Sequence, residues 1–354
     1  MSVTIAESRR AQVRAIGSVA DRADLWQATV REAGGSSVAH SPEWFTIIHD
    51  TYGHDPLYLT AEDEDGERGV LPAFVIRRPF FGTVVTSMPF LDTGGPCAQS
   101  ERLTRMLVTS LVDEARRIKA QFVELRCTDR VDAGVPPMEH KVSMMLPLPS
   151  NPEALWRRFD SSVRNQIRKA ERAGLSVEFG GAEKLASFYE TFSIRMRDLG
   201  SPVHASGFLR AVVDGFGNRA RIALVRKGDA TIGGLVGLAF KDTLVVPWAS
   251  CLTEYLPLCP NMLLYWETLR MACRDGFGTF DFGRSSRGSG TYRFKRQWGA
   301  EERPLFWYTI PIGSQPNAAI ADGRTGAFLA TLWRRLPLPL TRGIGPSIRK
   351  YLTQ

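Results

Sequence analysis

Hydrophobic positions along the chain recur every two residues in some stretches and every three to four in others, which predicts alternating strands and helices. The first half contains, in order, a strand, two helices, a three-stranded meander, a long helix and two closing strands. The second half repeats this order and adds one short helix near its end. A repeat of this length indicates duplication of a whole domain, because solenoid repeats are far shorter. We therefore predict an α/β (α+β) fold with two domains, over residues 1–150 and 151–312, and a helical tail over residues 313–354.

The second domain opens with a predicted helix over residues 152–173, whose apolar residues form one stripe. Arg164, Arg168 and Arg172 recur every four residues along a second face. Like charges at this spacing repel each other weakly, and only Glu171 offsets them within the run. The face is either solvated or a surface for a phosphate-bearing ligand, and we favour the ligand.

A basic, glycine-rich stretch near the end of the second domain carries the most chemistry. A strand over residues 279–282 is predicted to end at Gly283, and Thr291 is the predicted N-cap of a helix over residues 292–298. A strand over residues 305–310 follows. Arginines and glycines fill the intervening loop: Arg284, Arg287, Gly288 and Gly290. Free N–H groups at a helix N-terminus suit an anion or a developing oxyanion. An ordinary connection between a strand and a helix, with a solvated basic face, would have the same sequence pattern.

Composition narrows the class of protein. The chain has 354 residues, is 44% hydrophobic and 23% charged, and carries a net charge of +8. This surplus favours anionic partners such as nucleic acid, phosphorylated carriers or an acidic membrane face. The five cysteines form no CxxC pair and the five histidines have no metal-ligand spacing. We therefore expect reduced thiols and no metal site.

The two ends of the chain bear on localisation. The N-terminus lacks the apolar core of a signal peptide, and no apolar run is long enough to span a bilayer, so we expect a cytoplasmic protein. Residues 318–335 are predicted to form an amphipathic helix that ends at the prolines of residues 336–340. This basic tail either contacts an anionic membrane, on the inner face of the cell membrane, or packs on the body of the protein.

Several motifs resemble those of the FemAB-like family, the aminoacyltransferases that build peptidoglycan cross-bridges on two tandem GNAT (acyl-CoA N-acyltransferase) domains. Residues 162–175, SVRNQIRKAERAGL, resemble the helix that opens the second domain of that family. Residues 291–299, TYRFKRQWG, resemble its Phe-Lys motif, and residues 93–96, TGGP, its Gly-Pro turn. The set NMLLYW, DFGRS and GTYRFK is similar to the FemAB-related branch associated with exosortase (PEP-CTERM) and exopolysaccharide loci.

The resemblance spans roughly residues 40–310 and implies both a fold and a reaction. In the GNAT fold, with its mixed central sheet, two neighbouring parallel strands splay apart and the acyl donor enters the gap. Here those strands would be residues 243–250 and 279–282. The implied reaction is acyl or aminoacyl transfer to an anionic cell-envelope or exopolysaccharide precursor. The alternatives are a plain acyl-CoA-dependent N-acyltransferase and a non-catalytic module that assembles or binds carriers.

Acyl transfer requires deprotonation of the nucleophile, stabilisation of the oxyanion and protonation of the leaving group. The resemblance implies that Lys295 stabilises the oxyanion or holds a substrate carboxylate. Tyr292 would protonate the leaving group, or pack as a core aromatic residue. Asp281 would act as the base, or orient Arg284.

Further residues are candidates for binding substrate. Arg284 and Arg164 suit bidentate recognition of phosphate or carboxylate. Trp248 would line the donor gap or pack beside it. The remaining candidates are Arg168, Gly290 and Thr291.

The identity of the donor stays open between acyl-CoA and aminoacyl-tRNA, and we expect no tightly bound cofactor. GNAT enzymes that use acyl-CoA place a glycine-rich loop before the helix that follows the meander. Here residues 255–262, YLPLCPNM, contain two prolines and no glycine, so they offer few N–H donors. The basic composition is compatible with a tRNA donor.

Overall fold

The computed structural model describes residues 11–16, 19–313 and 323–353. In chain order, the strands are β1 (Ala11–Ile16), β2 (Asp55–Pro56), β3 (Tyr58–Asp63), β4 (Arg68–Leu71), β5 (Phe74–Arg78), β6 (Gly82–Thr86), β7 (Cys97–Ala98), β8 (Phe122–Cys127), β9 (Lys141–Pro147), β10 (Leu175–Gly180), β11 (Ala220–Lys227), β12 (Ala230–Phe240), β13 (Thr243–Cys251), β14 (Thr279–Ser286), β15 (Glu301–Pro304) and β16 (Phe306–Pro311). The helices are α1 (Ala23–Glu32), α2 (Glu43–Tyr52), α3 (Glu101–Arg117), α4 (Pro152–Arg158), α5 (Ser161–Arg172), α6 (Leu185–Leu199), α7 (Ser206–Phe216), α8 (Pro260–Arg274), α9 (Gly290–Arg296), α10 (Gly323–Arg334) and α11 (Leu338–Arg349).

The chain forms two compact units whose limits differ from the predicted boundaries. Among the described residues, the first unit comprises 11–16, 19–45, 53–139 and 305–313, and the second 46–52, 140–304 and 323–353. Strand β9, predicted to close the first domain, lies in the sheet of the second unit. Strand β16, predicted to close the second domain, pairs with β8 in the first unit. Strand periodicity indicates which face of a strand is buried but not its partner, so it could not reveal this exchange.

The first unit contains a four-stranded sheet, β1-β3-β4-β7, and a five-stranded sheet, β16-β8-β6-β5-β2. Strand β4 ends at Leu71 and β5 begins at Phe74, so the chain changes sheets within a few residues. Pro72 lies between the two strands, where a residue without an N–H cannot continue a sheet ladder. The buried face of α3 packs on these strands through Leu103, Leu107 and Leu111.

In the first unit the only parallel pair of strands, among the residues described, opens after two residue pairs. Strands β6 and β8 pair at Val85–Val123 and Thr86–Glu124. Beyond this point, the loop over residues 88–96 lies along the edge of β8. Gly95 N in this loop donates to the carbonyl oxygen of Arg126 at 2.8 Å. The gap that a splayed pair would leave is therefore occupied by the protein's own chain.

Arg126 holds this loop in place from inside. Its side chain is 1% exposed and forms an ion pair with Glu124 at 2.5 Å. Its Nη1 donates to the carbonyl oxygens of Met88 and Leu91, and its guanidinium lies 4.7 Å from the ring centroid of Trp307. Met88 has a φ of +48°, a backbone conformation that residues other than glycine rarely adopt. The contacts of Arg126 therefore stabilise an unfavourable backbone conformation.

The second unit is built on one seven-stranded sheet in the order β10-β11-β12-β13-β14-β9-β15. Neighbouring strands are antiparallel except β13 and β14, which are parallel. The predicted helix over residues 152–173 is two helices, α4 and α5. Phe159 has an extended backbone between them, and its ring packs edge-on against Trp266 and Trp298. Burial of this aromatic ring therefore interrupts the helix.

The tail packs on the body through α10 and α11, both of which contact α6. Trp333 is buried, and Arg342 donates to Ser193 Oγ at 2.9 Å. At Gly200, which ends α6 with a φ of +79°, an added Cβ would lie 2.7 Å from the Ala330 carbonyl oxygen. The predicted helix over residues 318–335 begins outside the described residues. The sequence does not predict α11, because the prolines of residues 336–340 indicate the end of a helix. Pro337 precedes the helix and Pro339 lies in its first turn, where a proline is tolerated.

We predict that Arg126→Met lowers the free energy of unfolding by about 3–5 kcal/mol, because it leaves the Glu124 carboxylate buried without its partner. Urea denaturation followed by tryptophan fluorescence measures the change. Arg116→Met, at an exposed ion pair with Asp113, is the matched control and should change stability by less than about 1 kcal/mol. The double variant with Glu124→Gln should recover part of the loss, and an Arg126→Met protein as stable as the control would contradict the assigned role.

Candidate functional site

The parallel strands of the second unit diverge, as the resemblance implied. Strands β13 and β14 pair at Thr243–Thr279, Leu244–Phe280 and Val245–Asp281, and the pairing ends there. Strand β13 nevertheless continues to Cys251 and β14 to Ser286. Alternate backbone N–H and C=O groups of each strand therefore face the gap between them, where a ligand can take the place of a neighbouring strand.

A backbone irregularity lies at the point of divergence. Strand β14 does not end at Phe282, as predicted, but continues past Gly283 with a shift in its register against β9. Gly283 has a φ of +74°, which suits glycine and turns the strand locally. Asp281 Oδ1 accepts hydrogen bonds from Gly283 N and from Ser143 Oγ, each at 2.7 Å. The carboxylate is thus fixed at the apex of the gap.

Lys295 braces the same irregularity from α9. Its side chain is buried, and its Nζ donates to the carbonyl oxygens of Gly283 and Arg284, each at 2.9 Å. A buried ammonium group that satisfies two carbonyl oxygens stabilises the turn of the strand. In this geometry Lys295 positions the backbone beside Asp281.

Helix α9 begins earlier than predicted, which changes the roles of two candidate residues. The N-cap is Ser289, whose Oγ accepts a hydrogen bond from Tyr292 N at 3.1 Å, and not Thr291. Ser289 has the extended backbone that an N-cap requires, whereas Thr291 lies inside the first turn. Gly290 and Thr291 are both exposed on this turn.

Tyr292 makes a hydrogen bond that the sequence did not suggest. Its hydroxyl donates to the Glu302 carboxylate, which also forms an ion pair with Arg287 at 2.8 Å. The hydrogen bond to Glu302 is the main cause that raises the pKa of Tyr292, and the same bond lowers the pKa of Glu302. Tyr292 therefore stays protonated, with its proton directed at Glu302, and this bond must break before Tyr292 can protonate a leaving group.

Positive charge collects at the far end of β14. Arg284 lies opposite Ser143 in the sheet, and Lys141 Nζ donates to Ser286 Oγ at 2.6 Å. The pKa of His140 is lowered, first by burial and then by the cations of Lys141 and Arg284. This corner of the second unit suits an anionic group of a substrate.

The other two predicted arginines lie on α5, which packs against α8 and β10. The guanidinium of Arg168 lies 5.7 Å from the ring centroid of Trp156. Arg164 is half-buried, and no hydrogen bond or ion pair joins its side chain to a described residue. Within the described ranges, no such bond connects either arginine to β14 or α9, so their role in binding substrate stays a prediction.

Trp248 lies on the diverging part of β13 and is buried. Its ring packs edge-on against His204 and Phe208, with centroid distances of 6.0 and 5.9 Å. The ring therefore joins the wall of the gap to a buried polar cluster around His204.

His204 connects that cluster to the tail. Arg349 Nε donates to His204 Nε2 at 3.1 Å, and His204 Nδ1 lies 2.8 Å from the Tyr52 hydroxyl oxygen. Because arginine can only donate, Nε2 carries no proton and the neutral ring is protonated at Nδ1. Burial, and then the Arg349 cation, hold the pKa of His204 well below its usual range.

The N-terminus of α8, where a glycine-rich loop would hold a pyrophosphate, is poorly equipped for that task. Cys259 has a φ of +61°, Pro260 has no N–H, and Met262 N donates to the Cys259 carbonyl oxygen. No group of three or more His, Cys, Asp or Glu residues could hold a metal ion in the part of the chain that is described.

Ser143, Glu302 and His204 were not among the predicted site residues. Ser143 lies on β9, which the sequence assigned to the other domain. Glu302 lies on β15, the next strand after the basic helix, and its charge was the one available signal. His204 lies in a segment without periodicity, so only the folded structure reveals its surroundings.

Three comparisons with known proteins bear on the fold. Residues 157–296 match the family model described as "Acetyltransferase (GNAT) domain", and this range lies within the second unit. The structure is similar to that of FemX, with a TM-score of 0.64 and 15% identity over 84% of this chain and 97% of that chain. No curated protein sequence matches the chain.

Two further solved structures are similar to that of this chain. A tandem GNAT protein from the clavulanic acid biosynthesis pathway has a TM-score of 0.51 and 10% identity over 87% of this chain and 100% of that chain. The chain has the tandem GNAT fold. The C-terminal domain (DUF2156) of a proposed lysylphosphatidylglycerol synthetase from Agrobacterium fabrum has a TM-score of 0.54 and 11% identity, over 89% of this chain and 95% of that chain.

The low pKa of His204 predicts a specific acid sensitivity. Below about pH 6.5 an unfolded histidine takes up a proton that buried His204 does not, so the free energy of unfolding falls as the pH falls. For one proton the slope approaches about 1.4 kcal/mol per pH unit. His204→Gln should remove this contribution, which urea denaturation between pH 7.5 and 5.5 measures as a shallower slope. Equal slopes in both proteins would show that His204 does not resist protonation.

Proposed function

We propose that the protein is an acyl- or aminoacyltransferase whose reaction takes place in the gap between β13 and β14. The observation that carries this proposal is the end of strand pairing at Val245–Asp281, with a fixed carboxylate at the apex of the gap. The GNAT match to residues 157–296 and the FemX-like fold support the reaction class.

The proposed reaction needs few protein groups. An amine or hydroxyl of the acceptor attacks the carbonyl carbon of the donor ester or thioester, and Asp281 accepts the proton that the nucleophile loses. The oxyanion of the tetrahedral intermediate is stabilised by N–H groups of the open strand edges. Collapse of the intermediate breaks the bond to the donor oxygen or sulfur, and this leaving atom takes up the proton that Asp281 accepted from the nucleophile. Lys295 keeps the Gly283 turn in the shape that this geometry requires.

We propose an anionic acceptor of the cell-envelope or exopolysaccharide class. The cationic end of β14, with Arg284 and Lys141, offers donors for a phosphate or carboxylate. The exosortase (PEP-CTERM) link is part of this proposal, and it rests on the motif resemblance alone. We place the reaction at the inner face of the cell membrane, because the tail is basic.

An aminoacyl ester is our preferred donor. The N-terminus of α8 lacks the glycine loop that holds a pyrophosphate, and the name of one structural neighbour denotes the synthesis of lysylphosphatidylglycerol. The second candidate is an acyl-CoA-dependent N-acyltransferase, because the family model that matches residues 157–296 is an acetyltransferase domain.

Mass spectrometry of compounds that co-purify with the protein, followed by transfer assays with the compounds found, tests the proposal. Radiolabelled aminoacyl-tRNA and a panel of acyl-CoA thioesters serve as donors. Calorimetry with CoA separates the two candidate donors, because only an acyl-CoA enzyme should bind it tightly. If no donor binds and none is consumed, the non-catalytic alternative is favoured.

Asp281→Asn should lower kcat by about 10²–10⁴-fold with little change in KM, because it removes the proton acceptor but keeps the hydrogen bonds from Gly283 N and Ser143 Oγ. Steady-state kinetics measure the effect. Asp275→Asn, at an exposed position after α8, is the matched control and should behave as the parent protein. Full activity in the Asp281 variant would remove this residue from the reaction.

Lys295→Met should lower both activity and stability, because one buried and one partly buried carbonyl oxygen lose their donor at a cost of about 1–3 kcal/mol. Thermal denaturation and the transfer assay, performed on the same preparation, measure both effects. Lys295→Arg should restore more stability than activity. If Lys295→Met abolishes transfer and leaves Tm unchanged, Lys295 contacts the reacting atoms instead of bracing the strand.

A further inference from the structure

The two tail helices expose large apolar side chains on the side that does not pack on the body. On α10, Phe328 is 63% exposed, Leu329 55% and Leu332 45%. Ala330 and Trp333, one turn apart, face the body, where Ala330 meets Gly200. The exposed residues therefore belong to a helix that packs on the body through its other side, and their exposure does not result from fraying.

Helix α11 repeats this arrangement. Leu340, Ile344 and Ile348 recur every four residues and are 52%, 46% and 41% exposed. Thr341 and Gly345 are buried on the opposite side, and an added Cβ at Gly345 would lie 3.5 Å from the Trp333 ring and 3.3 Å from Val203 N. We call the six exposed apolar residues of the two helices the tail surface: Phe328, Leu329, Leu332, Leu340, Ile344 and Ile348.

The charged residues of the two tail helices and their junction have one sign. Residues 323–353 contain no aspartate or glutamate. They contain six basic residues: Arg324, Arg334, Arg335, Arg342, Arg349 and Lys350. Arg342 and Arg349 point to the body, where they bind Ser193 and His204. Arg334 and Arg335 are exposed at the junction of the two helices, although Arg334 Nη2 also donates to the Leu199 carbonyl oxygen at 3.4 Å. Lys350 follows α11.

We infer that the tail surface binds the interface of an anionic lipid bilayer, with α10 and α11 lying in the plane of the membrane. Apolar side chains that enter the acyl boundary, flanked by cations at the level of the headgroups, are the features that such helices use. A second copy of this chain would bring two sets of cations together without an acidic partner in the tail, so charge disfavours self-association. Among the described residues no helix is long and apolar enough to cross the membrane. The biological role of this binding rests on the proposed function, because membrane binding would place the enzyme beside an envelope substrate.

Co-sedimentation of the full chain with lipid vesicles tests the inference without any assay of activity. We expect binding to vesicles of phosphatidylcholine with 30% phosphatidylglycerol, weak binding to phosphatidylcholine alone, and release at high salt. Ile344→Asn together with Ile348→Asn should weaken partitioning roughly tenfold or more. Arg335→Gln together with Lys350→Gln should weaken it by a similar factor, on anionic vesicles only.

Matched variants elsewhere serve as controls. Met138→Asn removes an exposed apolar side chain of the first unit, and Arg116→Gln with Arg117→Gln removes two exposed cations of α3. Both should bind vesicles as the parent protein does. Thermal denaturation confirms that every variant is folded.

Three outcomes would overturn the inference. The parent protein fails to bind anionic vesicles, or sedimentation velocity shows a dimer that the Ile344 and Ile348 changes dissociate. In the third, Phe80→Ser with Phe81→Ser, at the exposed tip between β5 and β6, abolishes binding while the tail variants retain it. A protein that binds vesicles but transfers no acyl group would contradict only the proposed function.

Discussion

The separation of β13 from β14 is the feature on which the rest of the candidate site depends. A parallel pair that stays joined would satisfy its own backbone groups and leave no room for a ligand. Here Gly283 turns β14 away after Asp281, and Lys295 donates hydrogen bonds to the carbonyl oxygens of Gly283 and Arg284 at the turn. One buried cation therefore stabilises an opening in a sheet that would otherwise close.

In the first unit, the opening beside the parallel pair of strands is filled by the protein itself. This parallel pair, β6 and β8, also opens early, but the chain that follows β6 returns along the edge of β8. A second buried cation, Arg126, stabilises that closed form through Glu124 and the carbonyl oxygens of the loop. Two related folds thus use a buried cation for opposite purposes, which supports placing the chemistry in the second unit alone.

Many elements of the fold and part of the candidate site could be predicted from the sequence. The features that could not be predicted have physical reasons. The order of elements and the basic turn after β14 follow from periodicity and from glycine and arginine spacing. The exchange of β9 and β16 does not, because alternation of apolar residues says nothing about the neighbouring strand. The hydrogen-bond partners of Tyr292 and His204 could not be predicted either, because Glu302 and Arg349 come close to them only in the folded chain. The two-residue error in the position of the N-cap arose because Ser289 and Thr291 are both competent caps.

The exchange of β16 has a consequence for synthesis. The five-stranded sheet of the first unit ends at β16, so β8 lacks one neighbour until residues 306–311 have left the ribosome. Nascent chains therefore carry an unpaired strand edge through the translation of nearly the whole second unit, and such edges invite aggregation. The sheet of the first unit is therefore begun early and completed late, which leaves the edge of β8 exposed to aggregation during elongation.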